Sequence, residues 1–130
     1  MRMMILFALL SLGLVSPAWA ADHTKDTPDE VKKAVAEGKA VLLDVREKSE
    51  WDEGHLKDTK LLPLSALRRE PKAADVAKIV PKDKVVYTFC RAGVRSVQAA
   101  EVLKQLGYDA RALKPGYADL LKAGFAPAKK

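Results

Sequence analysis

The one cysteine of this chain, Cys90, is the residue best suited to covalent chemistry. It lies between an apolar run, Val85–Phe89, that predicts a strand and a helical pattern that begins at Ser96. A turn from a strand into a helix points backbone N–H groups inward and faces the positive end of the helix, and both features attract negative charge. The position therefore predicts a thiolate nucleophile and an anionic substrate.

The residues after the cysteine supply the predicted substrate contacts. The glycine at position 93 permits the backbone angles of a tight loop, and the two arginines carry charge that can hold an anion through charge-assisted hydrogen bonds. We therefore predict Cys90 as the catalytic residue, with a substrate-binding loop formed by Arg91, Ala92, Gly93, Val94 and Arg95.

An inert buried thiol is the alternative interpretation, because free cysteine is among the most buried residue types. The chain has no second cysteine with which Cys90 could form an internal disulfide. An inert thiol in the core would place Arg91 and Arg95 where their charges are buried without partners, which is costly. We therefore favour a reactive thiol.

Strands and helices alternate along the rest of the chain. Apolar runs predict strands at 40–45, 61–62, 85–89 and 108–113. Apolar spacing and capping residues predict helices at 28–37, 49–53, 96–106 and 116–123, with shorter ones opening at Ser65 and Pro71. This order predicts an α/β domain in which a mainly parallel central sheet is flanked by helices on both faces.

The first twenty residues have the pattern of a secretory signal peptide. Arg2 precedes an apolar run at 5–15, and Ala18 and Ala20 provide small residues for cleavage before Ala21. The run is too short for a membrane span, which needs about 20 apolar residues. We therefore expect a periplasmic or secreted protein with no stable membrane insertion after cleavage. Residues 21–130 would form one domain, with 21–26 as a flexible tail.

Charge and composition narrow the choice of ligands. The formal net charge is +6, but the basic residues are scattered among acids and aromatic residues make up 6% of the chain, so nucleic-acid binding is not expected. One cysteine and two distant histidines give no metal-ligand spacing. His23 falls in the predicted tail, and we interpret His55 as a locally hydrogen-bonded structural residue, although a general base paired with Cys90 is the alternative. No metal and no cofactor is expected.

The chain resembles the rhodanese homology domain along essentially all of residues 21–130. The similar segments, in order, are Leu-Leu-Asp-Val-Arg at 42–46, Glu-Trp-Asp-Glu-Gly-His-Leu at 50–56, Leu-Pro-Leu at 62–64, the cysteine loop at 90–96, and the closing segments at 108–109 and 115–117. It is most similar to the single-domain periplasmic members of the phage-shock type. It departs from the family where Gly-Gly and Trp are replaced by Pro115-Gly116 and Leu120, and where Gly-Ala is replaced by Asp58-Thr59.

The resemblance implies a thiosulfate sulfurtransferase. Cys90 would take the sulfane sulfur of a small anionic donor as a persulfide and pass it to a thiol or to cyanide, in two half-reactions. Asp44, Arg46 and Ser96 would support the loop rather than touch the substrate.

Two alternatives to this function remain open. A phosphatase or arsenate reductase of the same fold would have five residues between cysteine and arginine, whereas four separate Cys90 from Arg95. The other alternative is a periplasmic sulfur carrier or binding module with a specific protein partner.

Overall fold

The computed structural model describes residues 21–69 and 72–129. The predicted signal peptide and the helix start predicted at Pro71 lie outside the described residues. Within them, no helix is long and apolar enough to cross a membrane.

The centre of the domain is a four-stranded parallel sheet. Its strands are β1 (Ala40–Asp44), β2 (Lys60–Leu61), β3 (Val85–Phe89) and β4 (Ala110–Ala112), in the order β2-β1-β3-β4. The pairing of β1 with β3 runs from Ala40 opposite Val85 to Asp44 opposite Phe89. The carboxyl ends of the two central strands therefore meet at one edge of the sheet, directly before Cys90.

Six helices surround the sheet within the described residues: α1 (Pro28–Ala36), α2 (Lys48–Glu53), α3 (Leu64–Leu67), α4 (Ala73–Ala77), α5 (Val94–Gln105) and α6 (Tyr117–Lys122). The first begins as predicted, because the Thr27 hydroxyl accepts a hydrogen bond from the Glu30 N–H and Pro28 lacks the N–H that would need a partner there. The helix that we predicted to open at Pro71 and to include Val76, Ile79 and Val80 ends at Ala77 in the structure, so Ile79 and Val80 lie beyond it.

Two apolar cores form because side chains alternate across the sheet. On one face, Val86 packs with residues of α3, α4 and α5, including Leu67, Val76 and Leu103. On the other face, Tyr87 and Phe89 pack with residues that include Val31 of α1 and Leu120 of α6. The predicted α/β architecture, with helices on both faces of a parallel sheet, is thereby confirmed.

Residues 21–26 lie against the sheet rather than extending as the tail that we predicted. His23 forms a parallel bridge with Ala112 of β4, and the Thr24 N–H donates to the Ala112 carbonyl over 2.8 Å. The Tyr87 hydroxyl donates to the Asp26 carboxylate over 2.6 Å. This segment is held by backbone pairing with the edge strand β4 and by the hydrogen bond from the buried Tyr87 phenol. Short-range sequence patterns carry no signal for either contact.

Candidate active site

Cys90 follows β3 directly and begins the turn into α5. The helix starts at Val94, two residues before the predicted start, because Gly93 is its N-cap and has a φ of 86°. Only glycine adopts this left-handed conformation readily. The Gly93 N–H donates to the Cys90 Sγ over 3.1 Å, so one backbone amide of the predicted loop is aimed at the sulfur. The thiol itself is 1% exposed.

The carbonyl of Gly93 is held from two sides. The Ser96 hydroxyl lies 3.0 Å from this carbonyl and also 3.0 Å from the carbonyl of Leu113, and the Ser96 side chain is buried. The His23 Nε2 approaches the same Gly93 oxygen to 2.6 Å. The predicted role of Ser96 as a support of the loop agrees with this position, whereas the contact from His23 was not anticipated.

Asp44 and Arg46 form a buried pair at the end of β1. The Arg46 Nη2 donates to the Asp44 Oδ2 over 2.8 Å, and their side chains are 5% and 0% exposed. The same Nη2 donates to the Gly54 carbonyl over 2.8 Å, and the guanidinium lies 4.4 Å from the centre of the Tyr117 ring. The pair therefore fixes the segments that carry Gly54 and Tyr117, as expected of supporting residues.

Arg95 does not present a free guanidinium to a substrate, which differs from the role we predicted for it. Its two terminal nitrogens donate to the two carboxylate oxygens of Glu50 over 2.5 and 3.0 Å. The hydrogen bonds from Arg95 lower the pKa of Glu50 to about 2, and Glu50 in turn raises the pKa of Arg95. Both groups stay charged across the neutral range, so the pair ties α2 to the first turn of α5.

A cleft of about 310 Å³ opens beside the loop. Its lining includes Arg46, Glu50, Glu53, Arg91 and Tyr117. Arg91 is exposed and borders this space, so it is the loop arginine placed to meet an anion from solvent. Ala92 and Val94 are also exposed, and Val94 stands out as a large apolar side chain that is 65% accessible.

Gly116 lets the chain before α6 pass directly beneath the cysteine loop. A Cβ at this position would overlap the Arg91 carbonyl and lie 2.8 Å from the Cys90 carbonyl oxygen. The Tyr117 N–H donates to that Cys90 oxygen over 2.9 Å. Close approach, and not an unusual φ, is therefore what requires glycine here. The departure at Pro115 leaves this contact intact, and Leu120, another of the departures, is fully buried in the second core.

His55 makes local contacts. Its Nδ1 lies 3.1 Å from the Trp51 carbonyl oxygen, and its ring stacks on the Trp51 ring with centroids 3.7 Å apart. These contacts agree with a structural role rather than with a general base. Among residues 21–69 and 72–129, no group of three or more histidine, cysteine or acidic residues is arranged to hold a metal ion.

The fold and this loop define a class: an α/β domain that carries a buried thiol at the turn between its central strand and the following helix. The family model of the rhodanese-like domain matches residues 27–123, and the chain belongs to that family.

Three relatives show what the chain is similar to. It is 35% identical over 92 residues to the probable adenylyltransferase/sulfurtransferase MoeZ of Mycobacterium tuberculosis. The aligned region covers 70% of this chain and 22% of MoeZ, so the chain spans about a fifth of that relative. It is 30% identical over 107 residues to the uncharacterized protein YqhL of Bacillus subtilis, covering 82% and 80% of the two chains. The human single-domain sulfurtransferase TSTD1 superposes with a TM-score of 0.62 and 27% identity over 72% of this chain and 91% of that one. The first and the third of these proteins support a general sulfur-transfer role for the domain.

Sequence reasoning missed contacts between residues that are far apart along the chain. Glu50 was noticed as part of a motif but not as the partner of Arg95, and His23 was assigned to a tail. A general signal for the first existed, because a partly buried arginine needs a nearby acid, but it did not say which of the acids along the chain that would be. No comparable signal exists for His23.

Proposed function

We propose that this protein is a sulfurtransferase in which Cys90 carries a sulfane sulfur as a persulfide. The observation that carries the proposal is the Gly93 N–H aimed at the Cys90 Sγ over 3.1 Å, at the carboxyl edge of the sheet in a rhodanese-like domain. A backbone donor in this position stabilises negative charge on the sulfur before and after sulfur is taken up.

Thiosulfate is the donor that we propose. The Cys90 thiolate attacks the outer sulfur of thiosulfate, a new S–S bond forms, and the old S–S bond breaks with its electron pair leaving on sulfite. A thiol or cyanide then attacks the outer sulfur of the persulfide and the Cys90 thiolate is regenerated. Charge and atoms balance in both half-reactions, and neither requires a cofactor.

The engagement of Arg95 weighs against a phosphatase or arsenate reductase. Such enzymes need a loop arginine that binds the tetrahedral oxyanion directly, because the arginine stabilises the negative charge on the group being transferred. Here both terminal nitrogens of Arg95 donate to Glu50. Arg91, exposed at the cleft, is left to attract the donor from solvent.

The test combines mass spectrometry with turnover. After incubation with thiosulfate, the protein is expected to gain the mass of one sulfur atom on Cys90, and cyanide is expected to remove it. Cys90→Ser should show neither the gain nor any thiocyanate production while unfolding in urea like the wild type. Activity that survives in Cys90→Ser contradicts the mechanism. A persulfide that forms but is not discharged by small acceptors identifies a carrier that needs a protein partner.

We further propose that the protein acts in the periplasm or outside the cell, on the basis of the leader-like pattern of residues 1–20. Expressed from the full-length gene in a bacterium, the mature protein is expected to begin at Ala21 and to appear in the periplasmic or secreted fraction. N-terminal sequencing that finds residues 1–20 retained contradicts this location.

A further inference from the structure

The segment formed by residues 21–26, here called the N-terminal strap, runs from the start of α1 along β4 to the cysteine loop. The bridge between His23 and Ala112 and the hydrogen bond from the Thr24 N–H place the strap beside β4, parallel to it. Ala21, at its far end, packs against the core that includes Cys90. The strap therefore lies along β4 and reaches the cysteine loop, where the His23 Nε2 meets the Gly93 carbonyl.

Asp26 anchors the other end of the strap. Its carboxylate accepts hydrogen bonds from the Tyr87 hydroxyl over 2.6 Å and from the Arg111 Nη1 over 2.9 Å. These two donors lower the pKa of Asp26, so the anchor is charged at neutral pH. Tyr87 belongs to β3, the strand before the loop, and Arg111 belongs to β4, the strand that the strap lies beside. The position of His23 is thus fixed by contacts on both of its sides.

We propose that His23 is a positioning residue for the Cys90 loop, acting through the carbonyl of Gly93. The His23 Nε2 lies 2.6 Å from that carbonyl oxygen, and since a carbonyl accepts, the imidazole must carry its proton on Nε2. As far as turnover is concerned, the proposal rests on the sulfurtransferase function proposed above.

The physical reason lies in the freedom of Gly93. This residue has a φ of 86° and no side chain to hold it, so its peptide groups can rotate more readily than those of any other residue type. Its N–H faces the Cys90 Sγ while its C=O faces Ser96 and His23. The N–H and the C=O belong to the two peptide groups on either side of the Gly93 Cα, so fixing the carbonyl from two directions limits rotation about that Cα and thereby helps to keep the N–H pointed at the sulfur. A Cβ at Gly93 would lie 3.1 Å from the His23 Nε2, which shows how closely the imidazole covers this peptide.

Three substitutions separate the hydrogen bond from the packing of the ring. His23→Ala removes both, His23→Phe keeps a ring without a donor, and His23→Gln restores an N–H at about the reach of the imidazole Nε2. Lys25→Ala, at an exposed position of the same strap, is the matched control. Urea unfolding of each variant shows that the fold is retained before the loop is examined.

Two measurements report on the loop. The first is hydrogen exchange at the Gly93 amide by NMR, which does not depend on any catalytic activity. We expect exchange to be about three- to tenfold faster in His23→Ala and His23→Phe, the effect of losing one hydrogen bond. The second is the single-turnover rate of persulfide formation at saturating thiosulfate, which should fall by about the same factor while the half-saturating concentration stays within about twofold.

The rescue decides the outcome. His23→Gln and Lys25→Ala are expected to match the wild type in both measurements. The proposal is overturned if His23→Phe exchanges and reacts like the wild type, or if His23→Gln is as impaired as His23→Ala. A different result is a wild type that proves unable to form a persulfide while His23→Ala and His23→Phe still exchange faster than the wild type at the Gly93 amide. That result would leave the positioning role standing and remove the proposed function.

Discussion

Substituting Glu50 by glutamine tests whether the ion pair with Arg95 holds the loop helix in place. The change keeps the shape of the side chain and removes the charge that receives both Arg95 hydrogen bonds. The pKa of Glu50 lies at about 2 in the folded protein, against 4.5 for the free group, and each unit corresponds to about 1.4 kcal/mol. The upper limit of the stabilisation is therefore about 3 kcal/mol. Because the side chains are 30% and 23% exposed to water, we expect about 1 to 2 kcal/mol.

The dependence on pH follows from the direction of that shift. The folded pKa of Glu50 is lower than the unfolded one, so the stabilisation is fully present above a pH of about 4.5. It is lost as the pH falls from there to about 2, because the carboxyl group then becomes protonated in the folded protein too. The difference in stability between the wild type and Glu50→Gln should therefore be largest near neutral pH and shrink steadily in acid.

Urea unfolding at about pH 7 and at about pH 3 measures both effects. The matched control is Asp52→Asn on the same helix, which breaks the pair of Lys48 and Asp52 whose side chains are 74% and 56% exposed. An exposed pair at this spacing contributes about 0.3 to 0.5 kcal/mol. If Glu50→Gln costs no more than Asp52→Asn at neutral pH, or if its cost does not shrink in acid, then Glu50 and Arg95 are not paired in solution as the structure shows.

Two further substitutions address the loop and its surroundings. Arg91→Ala is expected to lower kcat/KM for thiosulfate by about tenfold, the effect of losing one charged hydrogen bond. The rate at which neutral iodoacetamide alkylates Cys90 should change by less than about twofold. Equal losses in both assays would mean that Arg91 shapes the loop rather than attracting the anion. Gly116→Ala is expected to lower the free energy of unfolding by about 2 kcal/mol or more, because the new methyl group overlaps the Arg91 carbonyl; a variant as stable as the wild type would show that the loop can move aside without cost.

The parts of the structure that short-range patterns determine were predicted from the sequence. Thr27, Pro28 and Glu30 are consecutive or nearly so, and their capping pattern placed the start of α1 correctly. Asp44 and Arg46 come at the end of one strand, which placed them beside the loop in the prediction; the ion pair between them was not predicted. The strand before Cys90 was predicted with its observed bounds, because its apolar residues form an unbroken run.

The parts that depend on distant pairs were not predicted. Glu50 and Arg95 are 45 positions apart, and His23 and Gly93 are 70 positions apart. Nothing in the spacing of charged residues along the chain says which acid reaches which arginine, since that choice is made by the packing of α2 and the strap against the sheet. The role of Arg95 was therefore assigned by its nearness to Cys90 in sequence, and the carboxylate that engages it was overlooked.

The distribution of charge around the loop bears directly on the proposed reaction. Of the three arginines near Cys90, Arg46 is paired with Asp44 and Arg95 with Glu50, which leaves Arg91 exposed at the cleft. A site with all three cations free would attract the sulfite product as well as thiosulfate, since both are anions at neutral pH. In the proposed reaction, the pairing of two of these arginines lowers the positive charge that an anion meets at the loop and so weakens the hold on the leaving sulfite. The negative charge that stays behind in that reaction is the persulfide on Cys90, which lies next to the Gly93 amide. In the proposed reaction, the anion is thus recruited at the exposed Arg91, whereas the sulfur intermediate is stabilised at the Gly93 N–H, whose orientation we propose to depend on Ser96 and the strap.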